Sequence, residues 1–247
     1  DNNSQDGSLQ LAKREFGEFS YLENKENAGF AAGMNVGLRE VFTLRQAAWA
    51  WLFNNDAIAD ENALTNLIEA AREEKSAGLL SPAIFSADTE KLWFGKGRID
   101  SLRMRAVHEI PTTKEWGRRS YSSDFLTGCA LLIKKEVFER VGPLDPRFFL
   151  YYEDADYSLR SKKSGFRTLV VPGARVVHQE QSQKNPQKLY YLVLSGLLFF
   201  QKHASFWQKP YFFLYGTIRR IKNTLDSMRG RDDALVVRRA YHDFYHD

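Results

Sequence analysis

Three polar residues, Asn54-Asn55-Asp56, directly follow the apolar run Ala48 to Phe53. Such a run predicts a buried strand, and ligands of open α/β sheets bind beyond the carboxyl ends of the strands. A carboxylate at that place suits a hard divalent cation that also takes phosphate oxygens. A plain turn, or a cap for the following helix, accounts for the same residues without a ligand. Taken alone, the motif leaves both interpretations open.

A second acidic cluster, Glu153-Asp154-Ala155-Asp156, follows the aromatic run Phe148 to Tyr152 and opens a helical pattern. Acids in the first turn suit the helix dipole, and that interpretation needs no chemistry. Asp154 beside aromatic residues is also a candidate general base. The dipole lowers its pKa while burial beside Glu153 raises it, and the sequence does not decide which effect is larger.

Three further features carry weaker signals. His178 ends a strand pattern, where its imidazole suits a transition metal ion, although a histidine without a ligand is the commoner case. Arg160 stands four residues after Asp156, so an ordinary helical ion pair is expected. The segment Asn27 to Gly37 is rich in glycine but lacks the spacing of a dinucleotide fingerprint or a P-loop. It indicates close backbone approach, either to a ligand or between helix and sheet.

Strands and helices alternate along most of the chain, which predicts an α/β sandwich with a mainly parallel sheet. One predicted helix is capped by Asp60 and turns Leu64, Leu67, Ile68 and Ala71 to one face. The other predicted helices of this part are Leu9 to Phe16, Gly29 to Val41, Lys135 to Val141 and Glu153 to Lys163. The predicted strands are Phe19 to Leu22, Ala48 to Phe53, Gly78 to Phe85, Phe125 to Ile133, Phe166 to Val171 and Arg175 to His178. Ser86 to Ser123 is predicted to be a long loop with at most a small hairpin.

Composition sets outer limits on the function. The chain of 247 residues is 43% hydrophobic and 27% charged, as in an ordinary globular protein. Its net charge of +4 is too small to indicate nucleic-acid binding. Cys129 is the only cysteine, which excludes an intrachain disulfide and predicts a reducing compartment. The longest apolar run, Tyr190 to Phe200, is shorter than the ~20 residues of a membrane-spanning helix.

The character of the sequence changes near Gln183. Residues 184–247 are predicted to form a helical, aromatic-rich extension, with helices at Tyr190 to His203 and Tyr211 to Asn223. Its aromatic residues are flanked by the basic residues Lys202, Lys209, Arg219 and Arg220. This pattern is typical of peripheral membrane helices, but packing on the core or pairing in a homodimer accounts for it equally well.

The order of these motifs resembles the family 2 glycosyltransferases with the GT-A fold, and most of all their rhamnosyltransferase-like branch of surface polysaccharide synthesis. The resemblance covers roughly residues 1 to 200. The motifs that carry it are Asn27-x-Gly29-Phe30-Ala31-x-Gly33, Leu52-x-Asn54-Asn55-Asp56, Glu153-Asp154-x-Asp156-x-x-x-Arg160 and Val171-Pro172-x-Ala174-x-Val176-x-His178.

The resemblance implies a role for each matching position. Asp56 matches the last acid of a motif that binds a divalent cation, Mg²⁺ or Mn²⁺, bridging the donor's diphosphate. His178 matches a histidine that completes this metal site, and Asp154 matches the catalytic base with Glu153 as its neighbour. The implied donor-binding positions are Asp1, Asn2, Asn27, Gly29, Asn54 and Asn55. Asn54 stands where the family often has an acid, which is a departure from the pattern.

The resemblance also implies the reaction. An inverting transferase would move a sugar, with rhamnose as one candidate, from a nucleotide diphosphate donor to a hydroxyl of a saccharide or lipid-linked acceptor. Thr127-Gly128 would approach the acceptor, with the Ser86 to Ser123 loop as its lid. Two alternatives stay open: a relative that binds a sugar nucleotide or glycan without transferring it, and a membrane-associated assembly partner. We expect a cytoplasmic protein, either free or peripheral on the inner face of the membrane.

The chain begins on a polar turn, Asp1 to Ser8, with no strand before it. Members of the family carry a β-α-β unit at this place, which supplies much of the nucleotide pocket. We therefore expect residues 1–183 to form a GT-A core that lacks its first β-α-β unit, followed by the helical extension of residues 184–247.

Overall fold

The computed structural model describes residues 1–179 and 185–246, which form two compact units. The first unit contains residues 1–98 and 108–149 with the described part of 153–180. The second contains residues 99–107 and 150–152 with the described part of 181–247. The boundary predicted near Gln183 lies outside the described residues, and the limits 1–183 and 184–247 stay a prediction.

Both helices and strands occur up to residue 179. The helices are α1 (Ser8–Glu15), α2 (Gly29–Arg39), α3 (Ala63–Glu73), α4 (Thr113–Trp116), α5 (Lys135–Val141) and α6 (Glu153–Lys163). A wider π-helical turn, Glu40–Leu44, continues α2. The strands are β1 (Trp49–Phe53), β2 (Ala57–Ala59), β3 (Ala77–Ser86), β4 (Leu92–Phe94), β5 (Lys96–Asp100), β6 (Arg105–Glu109), β7 (Tyr121–Ser122), β8 (Ala130–Lys134) and β9 (Arg167–His178).

The main sheet has the strand order β1-β8-β3-β9-β2. Strands β1, β3 and β9 run in one direction, while β8 runs in the opposite direction between β1 and β3. The short strands β4 and β7 add antiparallel pairs to β3 and β9, and β2 pairs antiparallel with β9. Strands β5 and β6 form a separate two-stranded sheet. The predicted α/β class is confirmed, with a sheet of mixed direction.

Both faces of the central strands are buried. Leu80 lies between Leu132 and Leu169 of the neighbouring strands, and all three belong to a core cluster with residues of α3. Because side chains alternate along a strand, the neighbouring residues point to the opposite face. Leu79 and Ile133, which are among these, are fully buried as well. Because both faces are buried, the sequences of these strands are continuous apolar runs.

Strand β9 is continuous, although two strands separated by Pro172-Gly173 were expected. Against β3, Val171 lies opposite Pro82 and Arg175 lies opposite Ala83, so residues 172–174 have no partner there. Proline cannot donate a ladder hydrogen bond, and a bulge accommodates it without ending the strand. Beyond this bulge the strand continues to His178, which lies opposite Ser86.

The segment Phe19 to Leu22 is not a strand, contrary to the sequence prediction. The Tyr21 hydroxyl instead lies within hydrogen-bond distance of two carbonyls, those of Ala12 (2.8 Å) and Phe16 (2.7 Å), and its single hydrogen is shared between them, which holds the segment against α1. A short apolar alternation forms a strand only beside a neighbouring strand, and the described structure offers none here.

The segment Ser86 to Ser123 is not a long loop, and this prediction was also wrong. It contains β4, β5, β6, α4 and β7. The Tyr121 hydroxyl donates to the carbonyl of Gly95 at 2.7 Å, and Thr112 forms a capping box with Glu115 at the start of α4. The glycines and polar residues of this segment are typical of a loop. Its short elements are instead stabilised by strand pairing and by contacts such as that of Tyr121, which join residues that are far apart in the sequence.

The start of α3 differs from the prediction in its cap and in its buried face. The N-cap is Asn62 rather than Asp60, and its side chain makes no capping bond. Leu64 is exposed, whereas Leu67 and Ala71 are buried as expected. The buried face is therefore shifted by one residue from the predicted one, and Ala63 lies on the core side in place of Leu64.

The second unit is mainly helical. Its helices are α7 (Pro186–His203), α8 (Lys209–Met228) and α9 (Asp232–His246), with a short 3₁₀ turn at Phe206–Gln208. Asn185 caps α7 by accepting bonds from the backbone N–H groups of Gln187 and Lys188. Across residues 1–179 and 185–246, no helix has both the length and the apolar character needed to cross a bilayer.

Candidate functional site

The Asn54-Asn55-Asp56 motif forms a tight turn between β1 and β2. The N–H of Asn54 donates to the carbonyl of Cys129 at 2.9 Å, and the N–H of Gln179 donates to the carbonyl of Asp56 at 2.8 Å. These bonds fix the turn between the segment before β8 and the end of β9. The side chain of Asn55 is exposed and that of Asn54 is half-buried.

The structure brings Asp56 and His178 together. The imidazole Nε2 of His178 lies 3.1 Å from Oδ1 of Asp56. This follows from the pairing of β2 with β9, in which Ala57 lies opposite His178. The histidine is only 6% exposed, while the Asp56 side chain is 46% exposed. A partly solvated carboxylate therefore lies beside a buried imidazole.

The environment of His178 includes an aromatic residue that the sequence did not single out. The ring of Trp93 in β4 meets the imidazole edge-on, with centroids 4.7 Å apart. The ring of His108 packs against Trp93 at 4.9 Å, and its Nδ1 lies 3.2 Å from the Trp93 carbonyl. Nδ1 of His178 is buried and has no hydrogen-bond partner among the described residues. No spacing rule could have predicted this cluster, because Trp93 and His108 lie in the segment assigned to a loop.

The second acidic cluster opens α6, as expected. The Asp154 carboxylate accepts two backbone hydrogen bonds, from Gly128 at 2.9 Å and from Ala155 at 2.7 Å. A Cβ atom at Gly128 would lie 3.1 Å from the ring of Phe30, so glycine permits the close approach of this segment. The position predicted for the acceptor side, Thr127-Gly128, therefore contacts the predicted base directly.

The two carboxyl groups of this cluster differ in their surroundings. Glu153 is buried, and its Oε2 has no partner among the described residues. Loss of solvent raises the pKa of Glu153 well above its ordinary range, and the neighbouring charge of Asp154 raises it further. Burial also raises the pKa of Asp154, but the N–H groups of Gly128 and Ala155 oppose this by stabilising its carboxylate. Glu153 is therefore the better holder of a proton in this pair.

The third acid of the motif has a structural partner. Nε of Arg160 lies 2.7 Å from Oδ2 of the buried Asp156, which confirms the helical ion pair expected at this spacing. The same guanidinium donates to the carbonyls of Val141 (3.0 Å) and Pro143 (2.9 Å). Asp156 and Arg160 thus tie α6 to the end of α5.

Four of the residues predicted for the donor side, Asp1, Asn2, Asn27 and Gly29, lie in one hydrogen-bonded group at the start of α2, while Asn54 and Asn55 lie in the turn after β1. The amide of Asn2 donates to Oδ1 of Asn27 (2.9 Å) and to the carbonyl of Gly29 (3.0 Å). Asp1 accepts a bond from the N–H of Ser4 and one from the N–H of Asn24. These contacts shape the segment, and its role in donor binding stays a prediction.

Gly29 has a clear structural requirement. Its φ angle is +83°, and an added Cβ would lie 2.5 Å from the carbonyl oxygen of Phe149. That carbonyl accepts a hydrogen bond from the N–H of Phe30 at 2.7 Å. Only glycine fits such a contact, which joins the start of α2 to the residues that precede α6.

The two acidic clusters meet at one short segment of chain. Gly128 bonds to Asp154, and the next residue, Cys129, bonds to Asn54 in the turn that carries Asp56. The pair of Glu153, which is buried, and Asp154, which is partly exposed, is thus connected through residues 128 and 129 to the pair of the half-exposed Asp56 and the buried His178. Among the described residues, no group of three or more His, Cys, Asp or Glu side chains could hold a metal ion.

Comparisons with known proteins agree on the family. The model of the family described as glycosyl transferase family 2 matches residues 1–142, which is more than half of the chain. Curated relatives include the N-acetylglucosaminyl-diphospho-decaprenol L-rhamnosyltransferase of Mycobacterium tuberculosis. It is 24% identical over 235 residues, which cover 85% of this chain and 76% of that protein. The dTDP-rhamnosyl transferase RfbF of Shigella flexneri is 23% identical, over 72% of this chain and 61% of its own length.

Solved structures show the same fold. GalNAc-T7, solved with UDP, GalNAc and Mn²⁺, matches 77% of this chain with a TM-score of 0.62 and 17% identity, and the match covers 38% of that chain. The mannosyltransferase PcManGT of Pyrobaculum calidifontis, solved with GDP-Man and Mn²⁺, matches 99% of this chain and 74% of its own, with a TM-score of 0.55 and 13% identity. The chain therefore has the GT-A fold and belongs to glycosyl transferase family 2.

Proposed function

We propose that this chain is an inverting glycosyltransferase in which Asp154 takes the proton of an acceptor hydroxyl. Asp56 and His178 would hold the cation that binds the diphosphate of the donor. The observation that supports this most is the segment at Gly128 and Cys129, which connects the Asp154 carboxylate to the turn that places Asp56 beside His178. Such a site has one group for the proton and one for the leaving group.

In the proposed transfer, the acceptor oxygen forms a bond to the anomeric carbon of the sugar. The bond from that carbon to the diphosphate oxygen breaks, and its electron pair leaves with the nucleoside diphosphate. The acceptor proton passes to the carboxylate of Asp154. Because the acceptor attacks opposite the leaving group, the anomeric configuration inverts.

The choice of Asp154 over Glu153 as the base rests on their hydrogen bonds. Two backbone N–H groups stabilise the Asp154 carboxylate, and its side chain is partly exposed. Glu153 is buried with an unpartnered oxygen, so it keeps its proton at a higher pH than Asp154 does. Glu153 would then stand as a neutral neighbour that leaves the charge on Asp154.

Asp56 and His178 fit one side of a divalent cation site. A carboxylate oxygen suits Mg²⁺ and Mn²⁺, and an imidazole nitrogen suits the more transition-metal-like Mn²⁺. Two protein ligands leave room for diphosphate oxygens and water, as in many nucleotide sites. When bound, the cation would neutralise charge on the departing diphosphate. The solved structures of GalNAc-T7 and PcManGT both contain Mn²⁺, which supports a divalent cation here.

The names of the curated relatives support a more specific donor and acceptor. One is a dTDP-rhamnosyl transferase, and the other is an N-acetylglucosaminyl-diphospho-decaprenol L-rhamnosyltransferase. We extend both to this chain as proposals: a nucleoside diphosphate rhamnose donor and a lipid-linked saccharide acceptor. The donor would lie near Asn54 and Asn55 and the segment formed by Asp1, Asn2, Asn27 and Gly29.

The test uses the full chain with Mn²⁺, a panel of nucleotide sugars and an N-acetylglucosaminyl-diphospho-lipid acceptor. We expect release of nucleoside diphosphate that depends on the acceptor and is fastest with dTDP-rhamnose. Calorimetric binding of a nucleotide sugar without release would support the alternative of a binding protein that does not transfer. If the chain neither binds nor turns over any donor in the panel, the proposal is wrong.

A further inference from the structure

The helix α8 presents a row of apolar side chains that stay exposed in the described structure. Its members recur every three or four residues, which places them on one side of the helix. They are between 49% and 81% exposed, and we call them the α8 apolar face: Leu214, Ile218, Ile221, Leu225 and Met228. A continuous exposed row of this length is unusual for a protein surface that meets only water.

The other side of α8 has its partner in α9. Gly216 is buried, and an added Cβ there would lie 3.0 Å from the Tyr245 hydroxyl. The amide of Asn223 donates to the carbonyl of Ala234 at 2.9 Å. The α8 apolar face therefore lies on the side of the helix that α9 does not cover.

Exposed apolar residues continue beyond the start of α8. Phe206 and Trp207 precede the helix and are exposed in a turn held by the capping box of Ser205 and Gln208. The hydroxyl of Tyr211 donates to the carbonyl of Leu102, whose side chain is also exposed. Two further segments of the second unit, at residues 206–207 and at Leu102, thus add exposed apolar side chains to those of α8.

The charge of the chain is concentrated in the same segment. Residues 185–247 contain ten Lys and Arg against five Asp and Glu, whereas residues 1–184 contain 25 against 26. On α8 itself, the basic residues are Lys209, Arg219, Arg220 and Lys222. The acid of that helix, Asp226, is paired with Arg231 at 3.2 Å.

We propose that the α8 apolar face, with Phe206 and Trp207, lies in the interface of an anionic lipid bilayer. An amphipathic helix with basic flanks binds such a surface through its apolar side chains and through attraction to the headgroups. Exposed tryptophan beside such a face is typical of the membrane–water interface. A second copy fits less well, because a symmetric contact would bring two basic segments together.

Vesicle binding by the full chain tests this proposal without any donor or acceptor, so its failure is distinct from failure of the catalytic proposal. Vesicles of phosphatidylcholine mixed with phosphatidylglycerol should bind the chain, and vesicles of phosphatidylcholine alone should bind it much less. Added salt should weaken binding to the anionic vesicles. Equal binding to both vesicle types would overturn the proposal.

Paired variants identify the surface. Replacing two members of the face, Ile218→Gln with Ile221→Gln, should weaken vesicle binding by at least about 10-fold, because their apolar area no longer leaves water. The matched control, Leu192→Gln with Leu235→Gln, changes two exposed leucines of α7 and α9 and should bind like the wild type. Equal binding by the Ile218/Ile221 variant and the wild type would contradict the assignment.

Two further measurements test for misfolding and for dimer formation. Circular dichroism melting should show that both double variants stay folded. The variant Trp207→Phe changes the same surface more mildly and is measured in the same vesicle assay. Light scattering without lipid tests the alternative that a second copy of the chain, rather than a bilayer, covers the α8 apolar face. A wild-type dimer that becomes a monomer in the Ile218/Ile221 variant would overturn the membrane proposal.

Discussion

Asp56 and Asp154 are connected through the same short segment of chain, but their surroundings differ. Nearly half of the Asp56 side chain is exposed, and it lies 3.1 Å from a histidine nitrogen. Asp154 accepts two backbone N–H bonds beside the buried Glu153, and burial raises its pKa. One kind of functional group is thus suited to two tasks: the more exposed carboxylate suits a cation that also takes phosphate oxygens, and the carboxylate with the raised pKa suits a proton.

The largest effect should come from removing the proton acceptor. Asp154→Asn keeps the shape of the side chain but removes its basicity, so we expect kcat to fall by about 10³-fold while donor affinity stays unchanged. Steady-state kinetics and donor titration measure the two quantities. The control is Asp233→Asn, at an exposed aspartate of α9, which should behave like the wild type. An Asp154→Asn variant that kept most of its kcat would remove the distinction between the two aspartates.

A smaller and different effect should follow from a change at the open carboxylate. Asp56→Ala removes one of two protein ligands of the proposed cation, so we expect the Mn²⁺ concentration for half-maximal rate to rise by at least about 10-fold. Metal titrations of the rate measure this, with Asp233→Ala as the control. Asp154→Asn should leave the Mn²⁺ dependence of its residual rate unchanged. The same metal dependence in the Asp56→Ala variant and the wild type would contradict the cation role.

The smallest effect on turnover is expected from a substitution of Glu153, and the quantity to measure there is the free energy of unfolding. Burial raises the pKa of Glu153 in the folded state. The contribution of Glu153 to the free energy of unfolding is therefore complete below its ordinary pKa of 4.5, and it is lost as the pH rises through the folded-state pKa. Glu153→Gln lacks this titration, so its free energy of unfolding relative to the wild type should increase with pH. Urea unfolding from acid to alkaline pH measures the difference.

The pH dependence of the rate separates the two members of this pair. Since the pKa of Asp154 is raised, kcat should increase with pH through a value above that of an ordinary aspartate. Glu153→Gln should retain this profile, because its amide replaces a carboxyl group that stays neutral. If the variant lost its turnover while remaining folded, Glu153 rather than Asp154 would be the proton acceptor.

Local sequence signals predicted the elements that carry the clusters. The bounds of α5 and α6 match the prediction, because a glycine follows the end of each helix at Gly142 or shortly after it at Gly165. The strand before Asp56 was recognisable as an apolar run that ends on polar residues. These parts depend on residues that are close together in the sequence.

Other parts depend on residues that are far apart in the sequence, and local sequence signals do not indicate them. The strand predicted at Phe19 to Leu22 failed because no neighbouring strand is present in the described structure to pair with it. The Trp93 ring reaches His178 only after β4 and β9 have both joined β3. The hydrogen bond from Gly128 to Asp154 likewise depends on how α6 packs.

At the bulge of residues 172–174 in β9, the number of residues has more effect on the orientation of His178 than their identity. Residues 172–174 lengthen β9 but pair with no residue of β3. The position of His178 opposite Ser86 therefore depends on how many residues the bulge contains. Because successive side chains of a strand face opposite ways, gaining or losing one residue there would turn His178 away from Asp56. Substitutions at the exposed Gly173 should therefore be tolerated more readily than a single-residue insertion. In related sequences, this spacing before the histidine should be conserved even where the residues differ.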